Sequence, residues 1–264
     1  MFRYSQDSDR EGIRMIRRIM WSVFVFGAFL FPAGGAQAGN RVTLEFDSSV
    51  RNRFVWRGEM WTDDPVFWQT VTARWGNFRS WNFFNIDLTD INGDRHELNE
   101  YDFILDYTFR FGRWSVAPGV LRFTSPTGFF KTTTKYTLDI RAASSWTPRL
   151  RVRIDTKHSR GNYFIFSSSR TLAPFGERFA LNFYGETGVS QPRYYRSRLS
   201  DRYAFTDALI GLSMPIEAGK GFTVTPFAEF TSLLDHSVRE AQRDTGAKKD
   251  AFTFGVSVFR SMGL

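Results

Sequence analysis

There is no cysteine in the chain. That excludes a disulfide framework and thiolate metal sites, and it does not conflict with export. Histidine is nearly as scarce. The three residues, His96, His158 and His236, show no metal-ligand spacing, so neither a metal nor a cofactor is expected. A glycine-rich phosphate loop and a nucleic-acid motif are also missing from the sequence. The formal net charge is +8, but the cations are interspersed with acids along the chain and form no single block, which argues against nucleic acid as a partner. Downstream of Phe31 nothing approaches the run of about 18 apolar residues that a membrane helix requires.

One apolar run does occur, from Ile19 to Phe31. Arg14, Arg17 and Arg18 precede it, and Ala36-Gln37-Ala38 follows as a small-x-small cleavage site. This order is that of a secretory signal peptide covering residues 1–38, cut between Ala38 and Gly39. The polar, mixed-charge stretch 1–14 is unusual for such a leader and reads as an over-extended start, with Met15 as the true initiator. Removing 1–38 takes away five Arg and three acidic residues, leaving 30 basic against 24 acidic, a net charge of +6. The remainder, 39–264, suits one domain.

What fills that domain is alternation. From Arg41 to Arg57 the even positions carry Val42, Leu44, Phe46, Val50, Phe54 and Trp56, while the odd ones carry Arg41, Thr43, Glu45, Asp47, Ser49, Arg51, Arg53 and Arg57. A period of two places these sets on opposite faces of one strand. The second face is too charged for a packed core, and the first ends in aromatic residues. Lipid outside and a polar lumen inside account for both. The same theme recurs near 67–75, 81–88, 100–110, 114–123, 132–142, 149–155, 162–170, 178–187, 205–214, 222–231 and 251–260. The reading is therefore an all-β, antiparallel, up-and-down transmembrane barrel of 12 strands. Pro118 weakens the fifth strand, because proline removes a ladder donor, and its failure leaves ten. Turns after even strands are mostly short (Gly76-Asn77, Gly112-Arg113, Ser145 to Pro148, Ala218 to Gly221) and connections after odd strands mostly longer. That places both termini in the periplasm of a Gram-negative cell. A mean hydropathy of −0.32 fits strands of which half face water.

Asn52-Arg53-Phe54-Val55-Trp56-Arg57-Gly58, followed by Thr62-Asp63-Asp64-Pro65, resembles the first strand and loop of TorF-like porins of the outer membrane. Asn85-Ile86-Asp87-Leu88-Thr89-Asp90 and Glu100-Tyr101-Asp102 are similar to the same class. The resemblance covers roughly strands one to four and implies a barrel without catalytic residues. The end of the chain resembles a barrel-assembly signal in Gly255, Val256 and Val258. It departs from that signal at Arg260 and Met262, and in ending Gly263-Leu264.

Strand parity sends a charged set inward: Arg51, Arg53, Arg57, Arg74, Arg110, Lys135, Arg141, Arg151 and Arg153, with Glu45, Asp47, Asp87, Glu100, Asp102, Asp106, Asp139, Asp155 and Glu186. Arginine and lysine lining a pore select anions, so the expected function is a narrow diffusion channel for small hydrophilic, chiefly anionic solutes. The mixture of signs leaves a closed structural or adhesion barrel with a salt-bridged lumen as the alternative. A phospholipase-like enzyme is the remote one. It needs a Ser-His pair, for which His158 and Ser167, Ser168 or Ser169 are the available residues, and the text around His158 matches no phospholipase motif. In the loop Ser190 to Arg202, Arg193, Arg196, Arg198 and Arg202 stand against Asp201 alone. They are expected to contact lipopolysaccharide phosphates. Outer-membrane lipid, lipopolysaccharide, the barrel-assembly machinery and small solutes complete the expected partners.

Overall fold

A computed structural model describes residues 41–89, 97–128, 131–157, 161–173, 179–190, 203–244 and 248–264. The leader, with its cleavage at Ala38 and Gly39, and the loop carrying Arg193, Arg196, Arg198 and Arg202 lie outside the described residues, as do His96 and His158.

Strands β1 (Val42–Arg51), β4 (Val66–Trp75), β5 (Phe78–Asp87), β6 (Leu98–Tyr107), β8 (Trp114–Thr124) and β9 (Thr133–Ala142) form the first half of the wall. Strands β10 (Arg149–Asp155), β11 (Asn162–Leu172), β12 (Leu181–Ser190), β13 (Ala204–Ser213), β15 (Phe222–Leu233) and β16 (Asp250–Gly263) form the second. Each stave pairs antiparallel with its sequence neighbour, and β1 pairs with β16, from Thr43 opposite Gly263 to Arg51 opposite Gly255. The result is a closed twelve-stranded antiparallel barrel, so no stave is left with an open edge. Short β7 (Phe109–Phe111) and β14 (Ile216–Gly219) extend two staves at the short-turn end. A separate hairpin, β2 (Phe54–Trp56) with β3 (Glu59–Thr62), and a helix α1 (His236–Asp244) lie at the long-loop end. Asp235 caps that helix by accepting from the backbone N–H groups of Ser237 and Val238 at 2.9 and 3.2 Å.

The wall obeys the two-residue period. Outward residues such as Leu105, Val120, Ile154, Ile210, Phe252, Phe254 and Val256 are exposed on the surface of the isolated chain, where lipid would cover them. Inward residues include Thr72, Asp102, Asp106, Thr137 and Thr253, all buried. Along the short-turn rim the rings of Trp75, Phe78, Tyr107, Phe109 and Phe111 touch one another in sequence, with centroids 4.7–6.5 Å apart. Such a belt suits the membrane interface, where an amphipathic ring meets both headgroups and hydrocarbon.

Three strand assignments from the sequence need refinement, and the one weakened by Pro118 stands. The stave around Pro118 is present and keeps the count at twelve: Pro118 sits opposite Leu138 of β9. The missing donor shows on its other side, where the ladder is interrupted between Asp106, opposite Gly119, and Phe109, opposite Val116. The ninth stave begins at Leu181, so Phe179 precedes it. In β13 a bulge at Thr206 lets Thr206 and Asp207 both bury on the inner side, as an extra residue in one strand does. The largest difference is at the start. The alternation from 41 to 57 is not one strand, because β1 ends at Arg51. Phe54 and Trp56 do not face lipid; Phe54 is 3% exposed, inside the barrel. Asn52 marks the break: its N–H donates to the Phe254 carbonyl at 3.1 Å, and its side-chain oxygen accepts from the Phe254 N–H at 2.9 Å. The chain then leaves the wall.

Candidate functional site: the barrel lumen

Three levels of polar side chains occupy the lumen. Near the short-turn end, Arg74 pairs with Glu45 at 2.8 Å and Arg79 with Asp106 through its Nε at 3.0 Å. Asp139 there receives Arg149 Nε at 2.9 Å and Arg141 Nε at 3.2 Å. A cavity of about 650 Å³ opens beside this group, lined by Arg110, Arg113, Arg141, Arg149 and Arg151 with Glu186, Tyr184, Ser167 and Ser169. Five arginines therefore line the cavity with one carboxylate, Glu186, while Asp139 holds two of them, Arg141 and Arg149. Alternation explains the arrangement: Arg149, Arg151 and Arg153 lie on one face of β10, next to Arg141 of β9.

At mid-height Arg51 Nη1 pairs with Glu229 Oε2 at 2.9 Å, and Tyr184 donates to the other oxygen at 2.9 Å. The Arg51 guanidinium lies 3.7 Å from the Trp68 ring centre, a cation–π contact. Arg151 pairs with Glu186, while Asp47 faces Arg51 and Ser257.

The third level is the β2–β3 hairpin, which leaves the wall between β1 and β4 and crosses the lumen. Its turn is Arg57-Gly58, with φ of 51° and 76°. Two positive φ values in a two-residue loop define a type I′ turn. Phe54 packs edge-on against Trp68 of β4 (5.6 Å), Trp56 stacks on Phe123 of β8 (5.8 Å), and Trp61 bridges Phe54 and Trp56. The Arg57 guanidinium sits 4.0 Å from the Trp56 ring and 3.9 Å from Tyr163 of β11. Tyr163 is fully buried and donates to Asp207 at 2.7 Å. At the tip, a Cβ on Gly58 would lie 2.6 Å from Leu233 Cδ2 and 3.0 Å from Asp207 Cβ. The tip thus rests directly on β13 and β15. At the hairpin's root Asp63 receives Arg53 at 3.1 Å and Lys248 at 2.6 Å.

The proposed lumen set therefore separates by level. Arg74, Glu45, Arg110, Asp106, Asp139 and Arg141 lie at the short-turn end, Arg51, Asp47, Arg151 and Glu186 near the middle. Lys135, Glu100 and Asp102 cluster beside the hairpin, where Lys135 Nζ is 4.6 Å from the Phe123 ring and both carboxyls feel the charges of Lys135 and Arg57. Arg153 is near Asp102. Arg53 and Arg57 reach the lumen on the hairpin and not on the wall. Arg79, Arg149, Glu229, Asp207, Tyr163 and Trp68 belong to the site but are absent from the sequence-based set. Alternation alone would have found Arg149 and Glu229, whereas Tyr163 and Asp207 acquire their role only through the hairpin. Ser167 to Ser169 lie about 17–23 Å along β11 from Asn162, at roughly 3.3 Å per residue, and Ser168 donates to the Trp146 carbonyl at 2.5 Å. Among the described residues no group of His, Asp and Glu has metal-binding geometry.

A closed barrel with an outward apolar wall, a rim of aromatics and a charged interior defines the fold class of the outer-membrane porins. Among solved structures the chain is similar in fold to the KdgM porin, with a TM-score of 0.50 at 11% identity over 83% of this chain and 99% of that one. It is similar also to the NanC porin, with a TM-score of 0.51 at 13% identity over 82% and 98%. KdgM has further been solved in complex with disordered oligogalacturonate, at 12% identity and a TM-score of 0.50. No protein-family model and no curated protein matches the chain.

Proposed function

We propose that the protein is a porin-type diffusion channel of the TorF-like kind for small hydrophilic anions. It would sit in the outer membrane of a Gram-negative cell with both termini periplasmic, after removal of residues 1–38. The observation that carries this reading is the arginine-lined chamber at the short-turn end of the lumen. Clustered guanidinium groups lower the energy of an entering anion and raise that of a cation, and their planar donors match carboxylate and phosphate. An acidic sugar, the class to which the oligogalacturonate held by one neighbour belongs, fits the same chemistry. The residual carboxylates Glu186 and Asp139 offset part of the field, so selectivity is weak.

The test is the reversal potential of the purified protein in planar bilayers under a salt gradient. Replacing Arg149 and Arg151 with Gln shifts it toward cations. An unchanged potential in a conducting channel refutes the anion reading, and silent bilayers with verified insertion favour the closed structural barrel, which the paired charges and the crossing hairpin support as the second reading. Export is tested separately: N-terminal sequencing of the membrane-fraction protein begins at Gly39, and a chain beginning at Met1 or Met15 refutes cleavage.

A further inference from the structure

The geometry points to the β2–β3 hairpin as the element that sets the channel's width, a strap fixed across the lumen and not a mobile outer loop; this inference rests on the channel reading above. Three independent anchors hold it. Its root is tied by Asp63 to Arg53 and Lys248. Its middle is held by a chain of rings running Phe123, Trp56, Trp61, Phe54, Trp68. Its tip lays the Arg57 guanidinium on the Tyr163 ring of β11 and presses a side-chain-free Gly58 against Leu233 and Asp207. The anchors lie on staves β4, β8, β11, β13 and β15, so the hairpin spans from its own side of the ring to the far wall.

A strap touching so many staves occupies cross-section that a twelve-stranded barrel has little of, since such a barrel lies between side-chain-filled and open types. Burial supports a permanent position. Phe54, Phe123 and Tyr163 are all nearly inaccessible, and withdrawing the hairpin would expose their apolar surface to lumen water. Gly58 is doubly required, by its positive φ and by the absence of room for a Cβ.

The experiment measures single-channel conductance of wild type, of a variant in which 53–63 is replaced by a short Gly-Ser link, and of Gly58→Val, each checked for heat-modifiable folding. Excision is expected to raise conductance about two-fold or more, and Gly58→Val, which dislodges only the tip, to raise it less. A silent wild type with a conducting excision variant also supports the strap, while refuting an open native channel. Unchanged conductance on excision overturns the inference and leaves the channel reading intact; silence of all three folded proteins overturns both. Because the chain has no cysteine, Glu59→Cys offers an independent readout in the intact barrel. Labelling with a bulky thiol reagent is expected to cut the current by about half or more, and full labelling without current loss overturns the inference.

Discussion

At the residue scale, what a side chain does here is decided by parity and depth. Phe103 projects outward from the middle of β6, and Asp102 beside it projects into the lumen. Leu44 and Thr43 are the same kind of neighbours near the short-turn end of β1. A guanidinium on the lipid side costs about 2–4 kcal/mol at the midplane and about 0–1 kcal/mol near an interface. Phe103→Arg is therefore expected to lower the stability of the bilayer-inserted barrel strongly, Leu44→Arg less, and Thr43→Arg least, since its arginine reaches water at the lumen mouth. Urea titration in lipid vesicles, followed by tryptophan fluorescence, reads the order. Equal losses at all three positions would contradict the two-faced wall.

At the element scale, the staves were legible because membrane and lumen impose opposite solvents on adjacent residues. Strands such as β6, with Tyr101, Phe103 and Leu105 against Glu100, Asp102 and Asp106, record that difference directly. Even the stave through Pro118 could be placed, and its local cost shows as one interruption in the neighbouring ladder. The hairpin was not legible. Phe54 and Trp56 continue the even-position apolar series of β1, so periodicity alone makes 41–57 look like one long strand. Arg57-Gly58, a pair able to adopt two positive φ values, was the available sign of a turn. It was outweighed because aromatic residues serve equally as a lipid girdle or as packing inside the lumen. The Thr206 bulge escaped for a related reason: it changes the parity of β13 without any glycine or proline to announce it.

At the scale of the whole molecule, the lumen is divided between a crossing strap at one end and a basic chamber at the other. Only the inward charges were foreseeable; their grouping by level depends on stagger between staves, which sequence does not state. The division makes width and charge separable. Asp139 is the pivot for charge, because among the described residues it holds both Arg141 and Arg149. The Arg141 side chain is 49% exposed, so water screens that pair and it contributes about 1 kcal/mol or less. Arg149 and Asp139 are 27% and 7% exposed and hold each other more tightly, but Asn keeps the shape of Asp and an acceptor oxygen for the Arg149 guanidinium. Asp139→Asn is therefore expected to leave the barrel folded, judged by unaltered heat-modifiable mobility, while removing a negative charge beside the chamber. The reversal potential should then move toward the anion equilibrium value, with single-channel conductance altered much less than by excising the hairpin. The shift should shrink as salt rises toward about 1 M, where the screening length falls to about 3 Å. A potential that stays fixed at low salt would mean that permeating ions do not pass this chamber, and would move the search for the selective section to the Lys135, Arg57 and Asp102 group beside the strap.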